Sequence, residues 1–302
     1  FTGQGSQFAG MGRDLAERYP QARATFDAAD EALGELLSEL CFSGPEETLA
    51  LTANTQPATL TVAVAAFRAL GARPDVAAGH SLGEYAALVA AGTFEFADAV
   101  RLVRERGRRM QEAVPVGTGG MVVVRKLPLP EVEALVGKVR AGVCEVANVN
   151  APGQIVVAGE TAALRELVSL APPKTTLELP VSVPFHCSLL RAAADGFAEV
   201  LARVPMRDPA FPVWCNVDAR PVTTAEQARD ALRRQFAGTV RWQATIEGML
   251  ADGVRRFVEF GPKAPLVKMV VQIANQAGVA GVTTHAATQA AEIEALRAAG
   301  PA

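Results

Sequence analysis

The chain has 302 residues, half of them apolar, and a formal net charge of −3 at neutral pH. This length is enough to bury a large core, in one domain or in a domain with an insert. Charges interrupt every apolar run, so no stretch reaches the roughly 18 residues that a membrane span needs. The chain also lacks the basic surplus of nucleic-acid binders, and we expect neither a membrane nor a nucleic acid as its partner.

Cysteine and histidine are scarce in this sequence. The four cysteines are far apart and form no C-x-x-C pair, and there are three histidines in all. This composition predicts no metal site. Reduced thiols in a cytoplasmic protein are the simplest interpretation of such widely spaced cysteines.

The first third of the chain predicts helices that alternate with a buried strand. The predicted elements are helices over 9–19, 20–34 and Pro57–Leu70, a strand over 75–79, and helices over 82–91 and 96–113. The third helix starts at a proline and is ended by Gly71, which are common start and stop signals. Such alternation implies a mainly parallel sheet with helices on both faces.

The character of the sequence changes at a glycine-rich stretch near 116–120. The elements predicted from there are a strand over 121–124, a helix over 130–138, strands over 143–149 and 154–158, a helix over 161–170 and a strand over 175–179. The order β-α-β-β-α-β is typical of a ferredoxin-like unit. We therefore expect a small domain inserted in a larger one.

The α/β pattern resumes after the insert. It predicts helices over 188–203, 225–236, 242–251 and after Pro265, and strands over 211–215 and 255–260. A cleft is expected where the small and large units meet, and such junctions are preferred ligand sites. The stretch around His285 is rich in glycine, alanine and threonine and is predicted to be a C-terminal tail.

The residues from Gly79 to Gly83 fit the pattern Gly-x-Ser-x-Gly. This pattern places a serine on a tight turn between a strand and a helix, with its hydroxyl exposed and the next backbone N–H groups near a developing oxyanion. The predicted strand and helix on either side are in the required order. Ser81 is therefore a candidate nucleophile for acyl chemistry; the alternative is that the two glycines only allow close packing at this turn.

A serine nucleophile needs a base within hydrogen-bonding distance, and histidine has the appropriate pKa. His80 is next to the serine and would tend to point away from it, and His285 lies in the predicted tail. His186 lies where the insert returns to the larger unit, and it is the candidate base; the alternative is a histidine that only starts a helix. No acidic partner for it stands out, and a carbonyl group could equally fix its tautomer.

The helix that begins at Phe96 carries an arginine on its apolar stripe. The stripe consists of Ala99, Leu102, Val103, Met110, Ala113 and Val114. Arg106 lies on this stripe, whereas the other arginines of the helix lie off it. A buried guanidinium needs an anion, and its shape matches a carboxylate. Arg106 therefore either forms a structural salt bridge or binds the free carboxylate of an acidic acyl group.

Four segments together resemble the malonyl-CoA:acyl-carrier-protein transacylases, a family that includes the acyltransferase domains of polyketide synthases and free-standing relatives. The segments are Phe1–Gln7, Gly79–Glu84, Arg106–Gly107 and Pro184–His186. The resemblance spans nearly the whole chain. It implies an α/β fold, with an α/β-hydrolase-like large subdomain over 1–117 and 185–302 and an inserted ferredoxin-like small subdomain over 118–184.

The resemblance also implies roles for individual residues. Ser81 would be the nucleophile, His186 the base and Arg106 the group that binds the malonyl carboxylate. Gln4 and the backbone N–H of Leu82 would form the oxyanion hole. The implied reaction is ping-pong transfer of a malonyl group from malonyl-CoA to the phosphopantetheine thiol of an acyl carrier protein, in polyketide or fatty-acid biosynthesis, with no bound cofactor and no metal.

Three further positions are interpreted through the resemblance. In relatives a carbonyl from glutamine or asparagine steadies the histidine, and Gln235 is similar to that position. Phe185 would put a large ring beside the α-carbon of the substrate and favour malonyl over methylmalonyl, since rejection of one methyl group is worth ~1–3 kcal/mol; the alternative for Phe185 is core packing. Thr2 is more typical of synthase domains and favours polyketide metabolism.

Two other classes of function remain open from the sequence. A hydrolase of the same fold would also use Ser81 and His186, but one that acts on neutral acyl chains has no reason to place Arg106 on an apolar stripe. An inactive docking module within a synthase has no need for all three residues. A persistent malonyl adduct on Ser81 would distinguish the transferase from the hydrolase, and unchanged carrier loading by Ser81→Ala would favour the docking module.

Overall fold

The computed structural model of the protein describes residues 1–71, 73–181 and 183–300. Its helices are α1 (Arg13–Arg18), α2 (Pro20–Leu33), α3 (Leu37–Ser43), α4 (Glu46–Ala50), α5 (Thr52–Leu70), α6 (Leu82–Ala90), α7 (Phe96–Glu112), α8 (Leu129–Val136), α9 (Thr161–Leu170), α10 (Arg191–Arg203), α11 (Ala225–Gln235), α12 (Trp242–Ala251), α13 (Pro265–Gln276) and α14 (Ala290–Ala298). Its strands are β1 (Ala77–Ala78), β2 (Gly119–Arg125), β3 (Cys144–Ala151), β4 (Gln154–Glu160), β5 (Thr176–Glu178), β6 (Val213–Trp214), β7 (Pro221–Val222), β8 (Arg256–Phe260) and β9 (Thr283–Ala287). A short 3₁₀ helix, Ser188–Leu190, leads into α10.

Helix α5 lies at the centre of the largest core. It is buried on nearly all sides, and α2, α6 and α7 pack around it. The helix begins at Thr52 and not at Pro57, so the predicted start was too late. Proline is most common in the first turn of a helix. Here it lies in the second turn, where its missing N–H removes one helical hydrogen bond, and burial of the surrounding residues stabilises the helix nonetheless.

The sequence predicts one mainly parallel sheet, whereas the described residues outside 119–178 form two short sheets. Strand β1 pairs in parallel with β6, which pairs antiparallel with β7, and β8 pairs in parallel with β9. Strand β1 is shorter than the predicted range 75–79. The first residues of the chain lie between the two sheets, because the N–H of His80 donates to the carbonyl oxygen of Phe1 and the N–H of Thr2 donates to that of Phe260, each at 3.0 Å.

A four-stranded antiparallel sheet is formed by residues 119–178, in the order β3-β4-β2-β5. Side chains alternate between the two faces of such a sheet. One face, which includes Val122 and Val157, packs against α8 and α9. The other face packs against the segment that contains Phe185 and Cys187. Both faces are therefore buried, which explains the valine-rich strands.

The antiparallel sheet is hydrogen-bonded to the rest of the chain beside β3. The N–H of Val149 donates to the carbonyl oxygen of Val240, and the N–H of Val240 donates to that of Ala147, each at 2.9 Å. Val240, two residues before α12, thus extends the sheet. This pairing fixes the small sheet against the loop that precedes α12.

The C-terminal stretch differs from the prediction. His285 lies in β9, paired with β8, and not in an irregular tail, and α14 follows. Threonine and alanine give β9 no clear period of its own, so its formation depends on pairing with a strand from elsewhere in the chain. The short elements α3, α4 and β7 were not predicted either, because each has too few residues to show a period.

Candidate active site

Ser81 lies on a sharp turn between β1 and α6. Its backbone has φ 52° and ψ −103°, a combination that residues other than glycine rarely adopt. The flanking glycines have no room for a side chain: a Cβ on Gly79 would lie 1.9 Å from the carbonyl oxygen of Gly83, and one on Gly83 would lie 2.1 Å from that of Phe1. Backbone strain of this kind persists only where the surroundings hold it, and it is common at functional sites.

Asn216 holds both sides of the Ser81 turn. Its Oδ1 accepts from the backbone N–H of Ser81 at 2.6 Å, and its Nδ2 donates to the carbonyl oxygen of Gly79 at 2.8 Å. Asn216 is fully buried and follows β6, the parallel partner of β1. It was not among the residues predicted from the sequence. A polar residue just after a buried parallel strand was a usable signal, since ligands of α/β sheets bind at that edge.

The hydroxyl of Ser81 and the imidazole of His186 form a hydrogen-bonded pair with an Oγ–Nε2 distance of 2.7 Å. On the other side of the ring, Nδ1 lies 3.0 Å from the backbone carbonyl oxygen of Gln235. A carbonyl oxygen only accepts, so Nδ1 carries the proton and Nε2 is left to accept from Ser81. The position that an acid has in a Ser-His-Asp triad is occupied here by a backbone carbonyl.

Burial keeps His186 neutral. Desolvation, together with the nearby positive charge of Arg106, lowers the pKa of His186 to about 3. The imidazole is therefore a proton acceptor at neutral pH. The residue also has a φ of 60°, so the two members of the Ser81–His186 pair both have positive φ angles.

Arg106 reaches the same serine from α7. Its side chain is 1% exposed, and Nη2 lies 3.2 Å from Ser81 Oγ. Nη1 donates to Gln56 Oε1 on α5 and Nη2 donates to Gln235 Oε1, each at 2.9 Å. The neighbouring Gly107 lets α7 approach α5, because a Cβ there would lie 2.5 Å from an α5 carbonyl oxygen. Gln56 was not predicted, because a single glutamine on a buried helix has no distinctive pattern.

The hydrogen-bond partners of the Arg106 guanidinium are neutral groups. Within residues 1–71, 73–181 and 183–300 it forms no ion pair, and its Nε has no hydrogen-bond partner. The rings of Tyr85 and Phe236 lie 5.3 and 5.9 Å from its Cζ. Burial lowers the pKa of Arg106, yet a guanidinium stays charged at neutral pH. The salt bridge considered from the sequence is thus not formed in the described part of the chain, and the site can accept an anion.

The N-terminal segment runs alongside the turn that carries Ser81. A Cβ on Gly3 would lie 2.5 Å from a backbone oxygen of that turn, so the next residue, Gln4, lies close to it. The Gln4 side chain donates a long hydrogen bond of 3.4 Å to Thr52 Oγ1. The backbone N–H groups of Gln4 and Leu82 donate to no acceptor in the described ranges. Two such N–H groups near a nucleophile can stabilise an oxyanion.

The remaining predicted residues lie around this centre. Phe185 is half-buried and packs against two cores, the largest one around α5 and the one on the second face of the four-stranded sheet. His80 has its Nε2 hydrogen-bonded to Asn150 Oδ1 at 2.8 Å, and not to Ser81. His285, in β9, contributes no hydrogen bond to the site within the described ranges. Of the three histidines, His186 is therefore the one brought to the serine.

The part of the chain that the structure describes contains no helix of the length and apolarity needed to cross a membrane. Nor do these residues include a group of three or more histidine, cysteine, aspartate or glutamate side chains that could hold a metal ion. The cytoplasmic location stays a prediction.

Comparison with known families shows the class of protein. The sequence matches the acyl transferase domain family over residues 1–301. It is 43% identical to the malonyl CoA-acyl carrier protein transacylase of Escherichia coli O157:H7, over 96% of this chain and 97% of the relative. The chain belongs to the malonyl CoA-acyl carrier protein transacylase family, and the resemblance seen in the sequence is confirmed.

Solved structures agree with this assignment. An acyl carrier protein S-malonyltransferase from Vibrio cholerae O1 has a TM-score of 0.93 and 40% identity, with 98% of each chain covered. A malonyl-transacylase in complex with its type II polyketide synthase acyl carrier protein has a TM-score of 0.93 and 41% identity, over 97% of this chain and 96% of that one. The α/β fold of this chain is therefore shared with structures of malonyl transacylases.

Proposed function

We propose that the protein transfers a malonyl group from malonyl-CoA to the phosphopantetheine thiol of an acyl carrier protein, through an ester on Ser81. The observation that carries the proposal is the meeting of a base and a buried cation at one hydroxyl: Ser81 Oγ lies 2.7 Å from His186 Nε2 and 3.2 Å from Arg106 Nη2. The names of the relatives supply the donor and the acceptor. Fatty-acid and polyketide biosynthesis both use this transfer.

In the first half-reaction, Ser81 Oγ attacks the thioester carbonyl carbon of malonyl-CoA. The hydroxyl proton goes to His186 Nε2 as the new O–C bond forms. The carbonyl oxygen becomes an oxyanion, and the backbone N–H groups of Gln4 and Leu82 are the donors that we assign to it. The C–S bond then breaks, the sulfur of CoA takes the proton from His186, and the malonyl ester of Ser81 remains.

The second half-reaction uses the same groups. His186 accepts the proton of the phosphopantetheine thiol, and the sulfur attacks the carbonyl carbon of the ester. The C–O bond to Ser81 breaks, and His186 returns the proton to Oγ. The malonyl group leaves as a thioester on the carrier protein, and the free enzyme is restored.

Arg106 gives the site its preference for an acidic acyl group. A carboxylate at the guanidinium would form charge-assisted hydrogen bonds. It would also neutralise a charge whose hydrogen-bond partners among the described residues are neutral. One methylene separates the carboxylate of a malonyl group from its thioester, and Nη2 lies close to Ser81 Oγ. A carboxylate bound there would therefore hold the reacting carbonyl over the serine.

We interpret the chain as two subdomains that meet at this site. Residues 1–117 and 185–302 would form the α/β-hydrolase-like large subdomain, and residues 118–184 the ferredoxin-like small one. The support is the order β3-β4-β2-β5 with α8 and α9 on one face, which is the arrangement of a β-α-β-β-α-β unit. Phe185 directly precedes the base in the chain, and we assign to its ring the selection of malonyl over methylmalonyl.

Intact-mass analysis after exposure to malonyl-CoA alone tests the proposal. We expect the wild-type protein to gain one malonyl group on Ser81 and to pass it to a holo acyl carrier protein when that is added. Ser81→Ala should gain nothing. Ser169→Ala, which removes an exposed hydroxyl that donates to the carbonyl oxygen of Glu166, is the matched control and should behave as wild type.

Two results would contradict the proposal. Rapid release of malonate, with no adduct, would identify a hydrolase. Unchanged loading of the carrier by Ser81→Ala would show that another group carries the acyl chain or that the protein only docks its partners.

A further inference from the structure

Glu84 is a buried carboxylate on α6, three residues after Ser81. It is 1% exposed and forms no ion pair with a residue of the described ranges. Burial of a carboxylate is costly unless hydrogen bonds satisfy it. Two donors reach its Oε2: the backbone N–H of Asn216 at 2.9 Å and Nε2 of Gln235 at 2.7 Å. The proposed proton transfers do not use this group, so its place beside the reaction centre needs another explanation.

Both donors also hold the reacting groups. The Gln235 side chain donates from Nε2 to the carbonyl oxygen of Ser81 at 3.0 Å and accepts from Arg106 at 2.9 Å. Its backbone carbonyl oxygen accepts from His186 Nδ1 at 3.0 Å. Asn216 holds the Ser81 turn by its side chain. Ser81, His186 and Arg106 are therefore each hydrogen-bonded to a residue that is itself hydrogen-bonded to Glu84.

The side-chain amide of Gln235 has two orientations, which exchange its oxygen and its nitrogen. A guanidinium only donates and a carboxylate only accepts. Between Arg106 and Glu84, one orientation satisfies both neighbours, with the oxygen toward the arginine and the nitrogen toward the carboxylate. The reverse orientation would leave two buried mismatches, each of which is unfavourable.

We propose that Glu84 is a positioning residue that anchors Gln235: it fixes the side-chain amide in the orientation that holds Arg106, and it thereby keeps in place the residue whose backbone carbonyl oxygen accepts from His186. This inference rests on the proposed function, because it gives Arg106 and His186 the roles assigned above. Glu84 does not touch the acyl group in this scheme. It acts on the geometry of the groups that do.

Three substitutions separate orientation from charge and from packing. Glu84→Gln can place its amide oxygen where Oε2 lies now, because both donors reach that one oxygen; it keeps the acceptor and removes the charge. Glu84→Leu removes the acceptor and keeps most of the volume. Glu84→Asp keeps the charge but withdraws the carboxylate from Gln235 by one methylene group.

The measurement is single-turnover acylation of Ser81, in which the amplitude reports the folded, active fraction and the rate constant reports its reactivity. We expect Glu84→Gln to retain a rate constant close to that of wild type. In Glu84→Leu and Glu84→Asp the acylation rate constant should fall about 10- to 100-fold, because a small displacement of catalytic groups has an effect of this size. Both variants should also discriminate less between malonyl-CoA and acetyl-CoA. A purely structural role would lower the amplitude and leave the rate constant and the discrimination unchanged.

Glu292→Leu is the matched control. Glu292 Oε2 also accepts two hydrogen bonds, from the backbone N–H and the hydroxyl of Thr288, and it lies in α14, outside the site. This variant should acylate with the wild-type rate constant. If Glu84→Leu does not fold, the milder Glu84→Asp decides the question.

The outcomes distinguish this inference from the proposed function. Wild-type rate constants in Glu84→Leu and Glu84→Asp, or a Glu84→Gln as slow as Glu84→Leu, would overturn the positioning role and leave the proposed function intact. A wild-type protein that gains no malonyl group from malonyl-CoA would overturn the proposed function itself.

Discussion

Arg106 Nη2 lies 3.2 Å from Ser81 Oγ, the same hydroxyl that His186 Nε2 contacts at 2.7 Å. A cation at this place has two effects. It offers a carboxylate a partner within one acyl group's length of the nucleophile. Its charge also disfavours an imidazolium beside it, and so contributes to the lowered pKa of His186. In the proposed function, one side chain would thus support both the selection of the acyl group and the activation of the serine.

Replacement of Arg106 should change the preference among acyl donors. Arg106→Met keeps a long unbranched side chain and removes the charge, so acylation by malonyl-CoA should fall by about 10- to 100-fold. Acylation by acetyl-CoA, which has no carboxylate to bind, should fall much less. The ratio of the two rate constants, measured by single-turnover acylation, reports the effect.

Arg109→Met is the control for Arg106, since Arg109 lies on the same helix in an ion pair with Glu105. It should leave the malonyl-to-acetyl ratio unchanged. If Arg106→Met lowers the acylation rate constants with malonyl-CoA and acetyl-CoA equally, the arginine is structural and does not bind the carboxylate.

Phe185 should limit the size of the group at the α-carbon. Phe185→Ser opens the space that we assign to its ring. Acylation by methylmalonyl-CoA should therefore rise about tenfold or more relative to acylation by malonyl-CoA, because rejection of one methyl group by a pocket wall has an effect of this size. Competition between the two esters, read by intact mass, measures the ratio. Phe42→Ser, at another half-buried phenylalanine, is the control, and the same ratio in both variants would indicate that Phe185 only packs in the core.

Several residues of the candidate site could be predicted because each belongs to a pattern of neighbouring residues in the sequence. The turn at Ser81 has two glycines and a serine at fixed spacing, and Arg106 interrupts an apolar stripe. Asn216 and Gln56 have no such local pattern. Asn216 is 135 residues from the serine whose N–H it binds, and the pairing of β1 with β6 brings them together.

The fold shows the same division between local and long-range signals. Helices α9 and α12 have the predicted bounds, because their apolar periods and flanking residues define them locally. Strand β9 contains His285 and was predicted to be a tail, since its parallel pairing with β8 depends on a distant segment. Tertiary pairing therefore determined the elements that the sequence pattern missed.

Asn216 should contribute to both stability and rate. Asn216→Ala leaves the N–H of Ser81 and the carbonyl oxygen of Gly79 without their partner, and two buried unsatisfied groups should lower the free energy of unfolding by ~2–4 kcal/mol. The strained turn would also lose its support, so the acylation rate constant should fall. Urea unfolding and single-turnover acylation measure the two effects.

Asn54→Ala is the control for Asn216, because the half-buried Asn54 amide also forms two hydrogen bonds, to a backbone carbonyl at 2.8 Å and from Arg104 at 2.7 Å, but does not hold the Ser81 turn. Its loss should leave the acylation rate constant unchanged and cost less stability than the loss of Asn216. Wild-type stability together with a wild-type rate constant in Asn216→Ala would show that the turn holds its conformation without this side chain.

Glu84 should give the stability of the protein a pH dependence of known sign. Burial, the largest cause, raises the pKa of Glu84 from 4.5 to about 7, against the opposing effects of the Gln235 and Asn216 hydrogen bonds and the charge of Arg106, while Asp218 adds to the rise. As the pH increases, the carboxyl of the unfolded chain loses its proton first. The contribution of Glu84 to the free energy of unfolding is therefore full below pH 4.5 and is lost as the pH rises through about 7.

Comparison with Glu84→Gln isolates this contribution, because the remaining groups titrate alike in both proteins. Between pH 5 and pH 8 the wild-type protein should lose about 2–3 kcal/mol of unfolding free energy relative to the variant. Urea unfolding of both proteins at the two pH values gives the difference. If the difference in unfolding free energy between the two proteins is the same at both pH values, the buried carboxyl ionises as easily in the folded protein as in the unfolded chain. Burial would then not raise its pKa.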